Sequence, residues 1–480
     1  MAFPPCPRPL ARVLSGGPAL QQPALPKALL RLALLPLALL AAAPELVWSA
    51  PRPAPLAVPQ LAGKRLAAAG SAPVVRVLLL QEGTLELAAA ALPLRLGDGN
   101  GRTLVELPAG ESLRLRTIDA GLELDTPGAA SAASAASAAG ADARRTLSRQ
   151  ELWLEPVANR RGDGQFLLQG RLYRGRLRLR PVEGGLQAIN HVDVESYLTS
   201  VVGSEMPASW PQAALRAQAV AARTYALSQR KPAAPFDLKA SVASQVYRGV
   251  VAETASTREA VDRTRRQVLM HGQGLINAVF HSSSGGITEN SGDLWTRQLP
   301  YLVSVPDFDE SSPVARWEKR FDAEQLQRAF PETGGATAIE VLASSASGRV
   351  RKARIRGSLG EIELTGPQLR QRLDLRSTLV RFQFQAPELA SLSPLGERLP
   401  PPPPPPGLPG LPGLPGASAE PLEPLRVPGP SLLVVGRGFG HGVGLSQWGA
   451  YGLALRGKGH EQILRHYYRG AELRLYEGTP

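Results

Sequence analysis

At 480 residues the chain is too long for one ordinary domain, and two or three are expected; an apolar fraction of 43% is enough to bury a real core. The formal charge of +13 comes mainly from arginines scattered through strand-like runs such as RLYRGRLRLR, without the dense basic blocks and interleaved aromatics of a nucleic-acid surface, so nucleic acid is not the expected partner. Cys6 is the one cysteine, which excludes a disulfide framework and any thiolate metal site further along the chain.

Residues 1–50 read as a signal peptide or N-terminal anchor. Arg8, Arg12, Lys27 and Arg31 precede the apolar run Leu32–Ala43, which is too short for an ordinary membrane span but fits a signal-peptide core. Pro44 and Pro51 follow the small-residue cleavage sites, so an uncleaved anchor stays open, and no later segment reads as a span. An exported basic chain has a natural partner in a polyanionic cell envelope. Residues 51–72 are Pro/Ala-rich and read as a flexible linker.

Over 73–164 period-two alternation separated by Gly, Asp and Asn turns predicts a β-rich region, interrupted by the low-complexity loop GAASAASAASAAGADA. Helical spacing begins in VDVESYLTSVVGSEM, where Tyr197, Leu198, Val201, Val202 and Glu205 recur and Asp193 can cap. A second, alanine-rich helix follows, with a Ser209/Gln212 capping box, Pro211 in its first turn, and Gln212, Arg216 and Arg223 on one side. Beyond Asp237 come a helix in STREAVDRTR, strands in QVLMHG and INAVFHS, and a late strand at Phe382 and Phe384. Residues 386–430, with the proline run Pro400–Pro406 and GLPGLPGLPG, read as a stiff linker; structure resumes over 431–480. The fold class expected is α+β: a β-rich N-terminal region leading into a mixed core over 165–385, with a Pro/Gly-rich insertion before the C-terminal motif.

Three constellations carry candidate chemistry. Glu205 ends a predicted helix before a Met-Pro break, where the helix dipole and burial both disfavour its ionised form, as a general acid requires; a surface glutamate at a helix end is the bland alternative. FHSSSGGITENSGDLW places His281, Ser282, Asn290, Asp293 and Trp295 in a polar, glycine-rich turn suited to sugar hydroxyls, with Trp295 as a stacking face. No G-x-S-x-G elbow supports a serine hydrolase. GRGFGHGVGLSQWGAYGLALRGKG alternates glycine at 436, 438, 440, 442 and 444, which brings backbone close to a ligand or to another backbone and presents His441 and Gln447 there; a tight buried hairpin is the alternative. It lacks the P-loop lysine, so nucleotide binding is rejected. His271, His281 and His441 are available to zinc, but without an H-E-x-x-H pattern no metal and no cofactor is expected.

Together VDVESYLTSVVGSEMPASWPQAALRAQAVAARTYAL, SQVYRGV, FHSSSGGITENSGDLW, LPYLVSVPD and the GRGFGHGVGLSQWGAYGLAL run resemble the SpoIID/LytB family, the stage II sporulation protein D and amidase-enhancer group. The resemblance implies an exported cell-wall protein acting on peptidoglycan glycan strands, either as a lytic transglycosylase with Glu205 as acid and base, or as a non-catalytic enhancer that partners an N-acetylmuramoyl-L-alanine amidase. Arg223, Tyr247, His281, Ser282, Asn290, Asp293, Trp295, His441 and Gln447 are then the expected substrate-binding residues. Some relatives resemble zinc proteins with cysteine ligands before S-Q-V-Y. Here that segment is DLKASVASQVY, so Asp237, Ser244, Gln245 and Tyr247 are the candidates to organise the site instead.

Overall fold

The computed structural model describes residues 73–126, 144–157, 164–385 and 431–478; the signal-like segment, the two linkers and the Ala/Ser loop of the sequence reading lie outside them. Within the described residues the fold is mixed α+β, as the periodicities imply.

Leucines at every second position build the N-terminal layers. Leu85 and Leu87, Leu113 and Leu115, Leu152 and Leu154, and Leu177 and Leu179 are all essentially inaccessible, because alternate side chains of each strand point to one face. A seven-stranded and a six-stranded sheet bury these faces in one shared core. The strand Val74–Glu82 pairs antiparallel with Gly185–Asp193, which in turn pairs with Arg176–Val182.

The chain leaves this sheet directly into helix α1, Val194–Glu205. Asp193, the last residue of the strand, caps it: its Oδ1 accepts from the N–H groups of Glu195 (2.9 Å) and Ser196 (3.3 Å). Helix α2, Gln212–Ser228, is rich in alanine and packs against α1 and against later helices. Ala217, Ala221 and Ala222 are fully buried there, since a methyl group allows close approach without side-chain entropy loss. The expected Ser209/Gln212 capping box does not form. Pro211 occupies the cap position with no side-chain bond, and Gln212 Nε2 donates instead to Ser256 O (3.0 Å) and Oγ (2.9 Å). Gln212, Arg216 and Arg223 do share one side, facing the helix Ala255–Arg263.

A second core follows that the sequence did not reveal. Trp317, Phe330, Ile355 and Leu369 pack with Leu432 and Val434, so this small lobe is assembled from both sides of residues 386–430. The strand Ser431–Gly436 lies between Trp317–Phe321 and Val380–Gln385, with Gln385 opposite Ser431. Among the described residues no helix is long and apolar enough to cross a membrane.

Candidate functional site

Helix α1 runs about 18 Å at 1.5 Å per residue and delivers Glu205 at its far end, away from the sheet. Glu205 is 3% exposed. Its Oε1 accepts from the Val246 N–H (2.9 Å) and its Oε2 from Gln447 Nε2 (3.0 Å). No lysine or arginine of the described residues lies within ion-pairing distance of it. Burial raises the Glu205 pKa above the usual carboxylate range, and the two hydrogen bonds and the charge of Arg248 offset this only in part.

Each donor is set by identifiable contacts. Gln245 ties its loop to both helices, accepting from Tyr197 Oη (3.0 Å) and donating to Ala222 O (3.2 Å), which fixes the neighbouring Val246 amide. Gln447 opens a helix, Gln447–Leu455, directly after the two-residue strand Leu445–Ser446, which runs parallel to Phe280–His281. Ser446 caps that helix by accepting from Gly449 N–H (3.2 Å).

The glycine-alternating run threads between neighbouring segments, and its glycines are required. Gly444 has φ +74°, and a Cβ there would meet Val279 O at 2.2 Å; Gly442 has φ +85°, and a Cβ would meet the Arg349 guanidinium at 2.6 Å. The run is therefore not a hairpin. Gly444→Ala is expected to cost at least ~2 kcal/mol, from left-handed strain plus the backbone clash, read as a lowered urea midpoint.

The two histidines lock these segments together. His281 Nδ1–H donates to Val443 O (3.1 Å). His441 accepts from Val443 N–H at Nδ1 (3.0 Å) and donates from Nε2–H to Phe280 O (3.1 Å). Burial holds both rings neutral: the His281 pKa is lowered well below its ordinary value, and that of His441 is lowered to about 4. Because a carbonyl only accepts, neutral His281 carries its proton on Nδ1. Its Nε2 is then a bare acceptor, buried and without a partner.

A group whose pKa is lowered on folding binds its proton more readily in the unfolded chain. His441 thus withdraws stability as pH falls from its ordinary 6.5 to about 4. Urea titrations at a series of pH values are expected to show that decline, and His441→Gln to show a smaller one.

Glu205, His281, Ser282, Trp295, His441 and Gln447 line one cavity of about 220 Å³. Tyr225 from α2 and Ser244 complete its wall. Trp295 is 38% exposed, with its ring centroid 6.2 Å from that of His441. Ser283 and Ser284 do not join the cavity, because their hydroxyls bond Asp309 and Asp307. Tyr467 Oη also bonds Asp307.

Four expected binding residues stand elsewhere. Arg223 is fully buried in a two-bond ion pair with Glu195 (Nη2 to Oε2 2.6 Å, Nε to Oε1 3.1 Å), so a ligand-binding role for it is corrected to a structural one. Tyr247 is likewise structural: its hydroxyl donates to Asn190 Oδ1 (3.0 Å) and its ring packs on Tyr173 and Tyr197. Asn290 is occupied with Asp293 Oδ2 (3.2 Å) and the Ser304 N–H (2.9 Å). Asp293 pairs with Arg351 (3.0 Å) and lines a separate cavity that shares only His441 with the first. Of the four residues suggested as organisers, Gln245 and Ser244 stand at the site, whereas Asp237 pairs with Arg76 (2.7 Å). No group of three or more His, Cys, Asp or Glu among the described residues is arranged to hold a metal ion.

Sequence reasoning missed Tyr225 and the Val246 amide. Tyr225 sits on the α2 face that helical spacing assigns to packing, and a backbone donor has no residue-type signal.

A buried carboxyl with neutral donors, at the floor of a cavity rimmed by tryptophan and imidazoles, defines a polar-ligand site assembled from both ends of the core. The family model for SpoIID, stage II sporulation protein, matches residues 182–271, the stretch that holds α1, α2 and the Gln245 loop. Stage II sporulation protein D of Bacillus subtilis is 28% identical over 307 residues, covering 60% of this chain and 76% of its own. The amidase enhancer of the same organism is 28% identical over 302 residues, 58% of this chain and 40% of its own. An uncharacterized protein of Brachyspira hyodysenteriae is 29% identical over 315 residues, 65% of this chain and 74% of its own. These matches make the chain similar to the SpoIID/LytB family, the stage II sporulation protein D and amidase-enhancer group.

Proposed function

We propose that this protein is an exported cell-wall enzyme, a peptidoglycan lytic transglycosylase that cleaves the bond between N-acetylmuramic acid and N-acetylglucosamine. The match to the SpoIID family model and the amidase-enhancer relative support a cell-wall role. The observation that carries the enzymatic reading is the Glu205 carboxyl, buried, held by two neutral hydrogen-bond donors and facing a cavity. A raised pKa keeps it protonated closer to neutral pH, as an acid catalyst requires.

Glu205 protonates the bridging oxygen and the glycosidic bond breaks. The resulting carboxylate takes the proton of the muramic C6 hydroxyl, whose oxygen closes a 1,6-anhydro ring on C1. One carboxyl serves both steps, so the second carboxylate of a paired-carboxylate hydrolase is not needed. His281 Nε2 accepts from a sugar hydroxyl, and Trp295 stacks on a ring at the rim.

A second reading, a wall-binding enhancer of an amidase, rests on the amidase-enhancer relative. Mass spectrometry of glycan strands digested by the folded protein separates the two. Anhydro-muramic ends support the enzyme; glycan binding without them supports the enhancer.

A further inference from the structure

The small lobe holds a groove of about 740 Å³ that plays no part in the Glu205 cavity. It lies between the rims of two sheets. Ala338–Ser344 is an edge strand of one three-stranded sheet, and Val380–Gln385 is an edge strand of another. The sheets meet where the Val350 N–H donates to Thr378 O (2.8 Å), and residues of both edges line the groove. An edge strand directs alternate N–H and C=O groups outward, where another strand can pair with them.

The side chains are as specific as the backbone. Arg316, Arg381 and Arg437 line the groove, all are exposed, and no acidic residue lines it with them. None of the three side chains makes a hydrogen bond or ion pair with a described residue. Several other arginines of the lobe are paired with carboxylates: Arg328 with Glu324 (2.6 Å), Arg354 with Glu363 (2.9 Å), Arg372 with Glu332 (2.8 Å). Ile339, Val341 and Phe382 supply apolar surface between the charges, and Val341 is 41% exposed.

We infer that this groove receives an extended acidic peptide segment of a partner polypeptide, which pairs with the outer edge of Val380–Gln385. The six residues of that strand span about 20 Å at ~3.3 Å per residue, enough to pair with a segment of equal length. Strand addition draws affinity from main-chain hydrogen bonds and specificity from alternate side chains. The partner's alternation is therefore acidic toward the arginines and aliphatic toward Ile339, Val341 and Phe382. The inference is independent of the chemistry at Glu205.

The test uses the full chain and a fluorescein-labelled octapeptide of alternating Glu and Val, with its Lys/Val counterpart as control. Saturable anisotropy is expected for the acidic peptide alone. It should weaken at least about tenfold in the combined Arg316→Ala, Arg381→Ala, Arg437→Ala variant, and in the same direction in Arg381→Glu. Hydrogen exchange is expected to slow at the amides of 380–385 when the peptide binds. Binding without that protection, or equal competition by polyphosphate, marks a general anion surface and overturns the inference. A gain in affinity when residues 386–430 are replaced by a short Gly-Ser bridge would assign the groove to the chain's own segment. A dimer that the arginine variant dissolves would assign it to a second copy. Either result overturns the partner.

Discussion

Glu205→Gln is expected to lower the release of anhydro-muramic ends by about 10²–10⁴-fold, the usual contribution of a positioned acid–base group, while folding and glycan binding persist. The substitution suits this site because both groups that hydrogen-bond Glu205 are neutral. The Val246 N–H can donate to the new amide oxygen as it does to Oε1 now. Gln447, whose Nε2 donates to Oε2, can rotate its own amide to present oxygen to the new NH₂. The variant thus removes the transferable proton and keeps the hydrogen bonds. Glu205→Ala is a poorer probe, because it leaves the Val246 and Gln447 donors buried without an acceptor, at a cost of about 1–3 kcal/mol each. The pH profile carries the same signature. With the Glu205 pKa raised by burial, activity declines as rising pH deprotonates the acid, and that decline lies above the ordinary carboxylate range.

Arg223→Ala is expected to destabilise the protein by about 3–5 kcal/mol, the cost of stripping one partner from a buried ion pair. The Arg223 side chain is 1% exposed and that of Glu195 is 7% exposed. Glu195 Oε1 also accepts from the Arg266 N–H (3.2 Å), and Arg223 donates to Gln267 O (3.2 Å). The pair therefore joins α1, α2 and the entry to the strand Gln267–His271. Removing the guanidinium leaves a carboxylate uncompensated in the core. Replacing both residues, as Arg223→Met with Glu195→Leu, is expected to recover part of the loss because no charge then remains buried. Denaturant unfolding of the three proteins measures this directly. If Arg223 instead served the ligand, Arg223→Ala would fold normally and weaken only glycan binding.

The two kinds of residue differ in what the sequence could reveal. The strands of leucine alternation and helix α1 were legible because their periods follow from backbone geometry, and Asp193 could be read as a cap from its place before the periodic run. Glu205 was legible as a helix-end carboxyl. Its neighbours were only partly so. His281, Ser282 and Trp295 meet His441 and Gln447 across some 160 residues of chain through the short parallel pairing of Phe280–His281 with Leu445–Ser446, which no local pattern encodes. Arg223, Asn290 and Asp293 are bonded within the fold and do not line the Glu205 cavity. A polar residue in a motif looks the same whether it faces a ligand or saturates its own fold, and here Glu195, Ser304 and Arg351 occupy them. The small lobe was hidden because its core draws residues from both sides of 386–430.

The central claim is that one buried carboxyl cuts glycan without admitting water to the bond. Digestion of glycan strands in heavy-oxygen water, followed by mass spectrometry of the new ends, tests it most directly. The account predicts anhydro-muramic ends that carry no label and that Glu205→Gln fails to produce. Labelled hydrolytic ends, or no new ends from folded protein that binds the glycan, would contradict it.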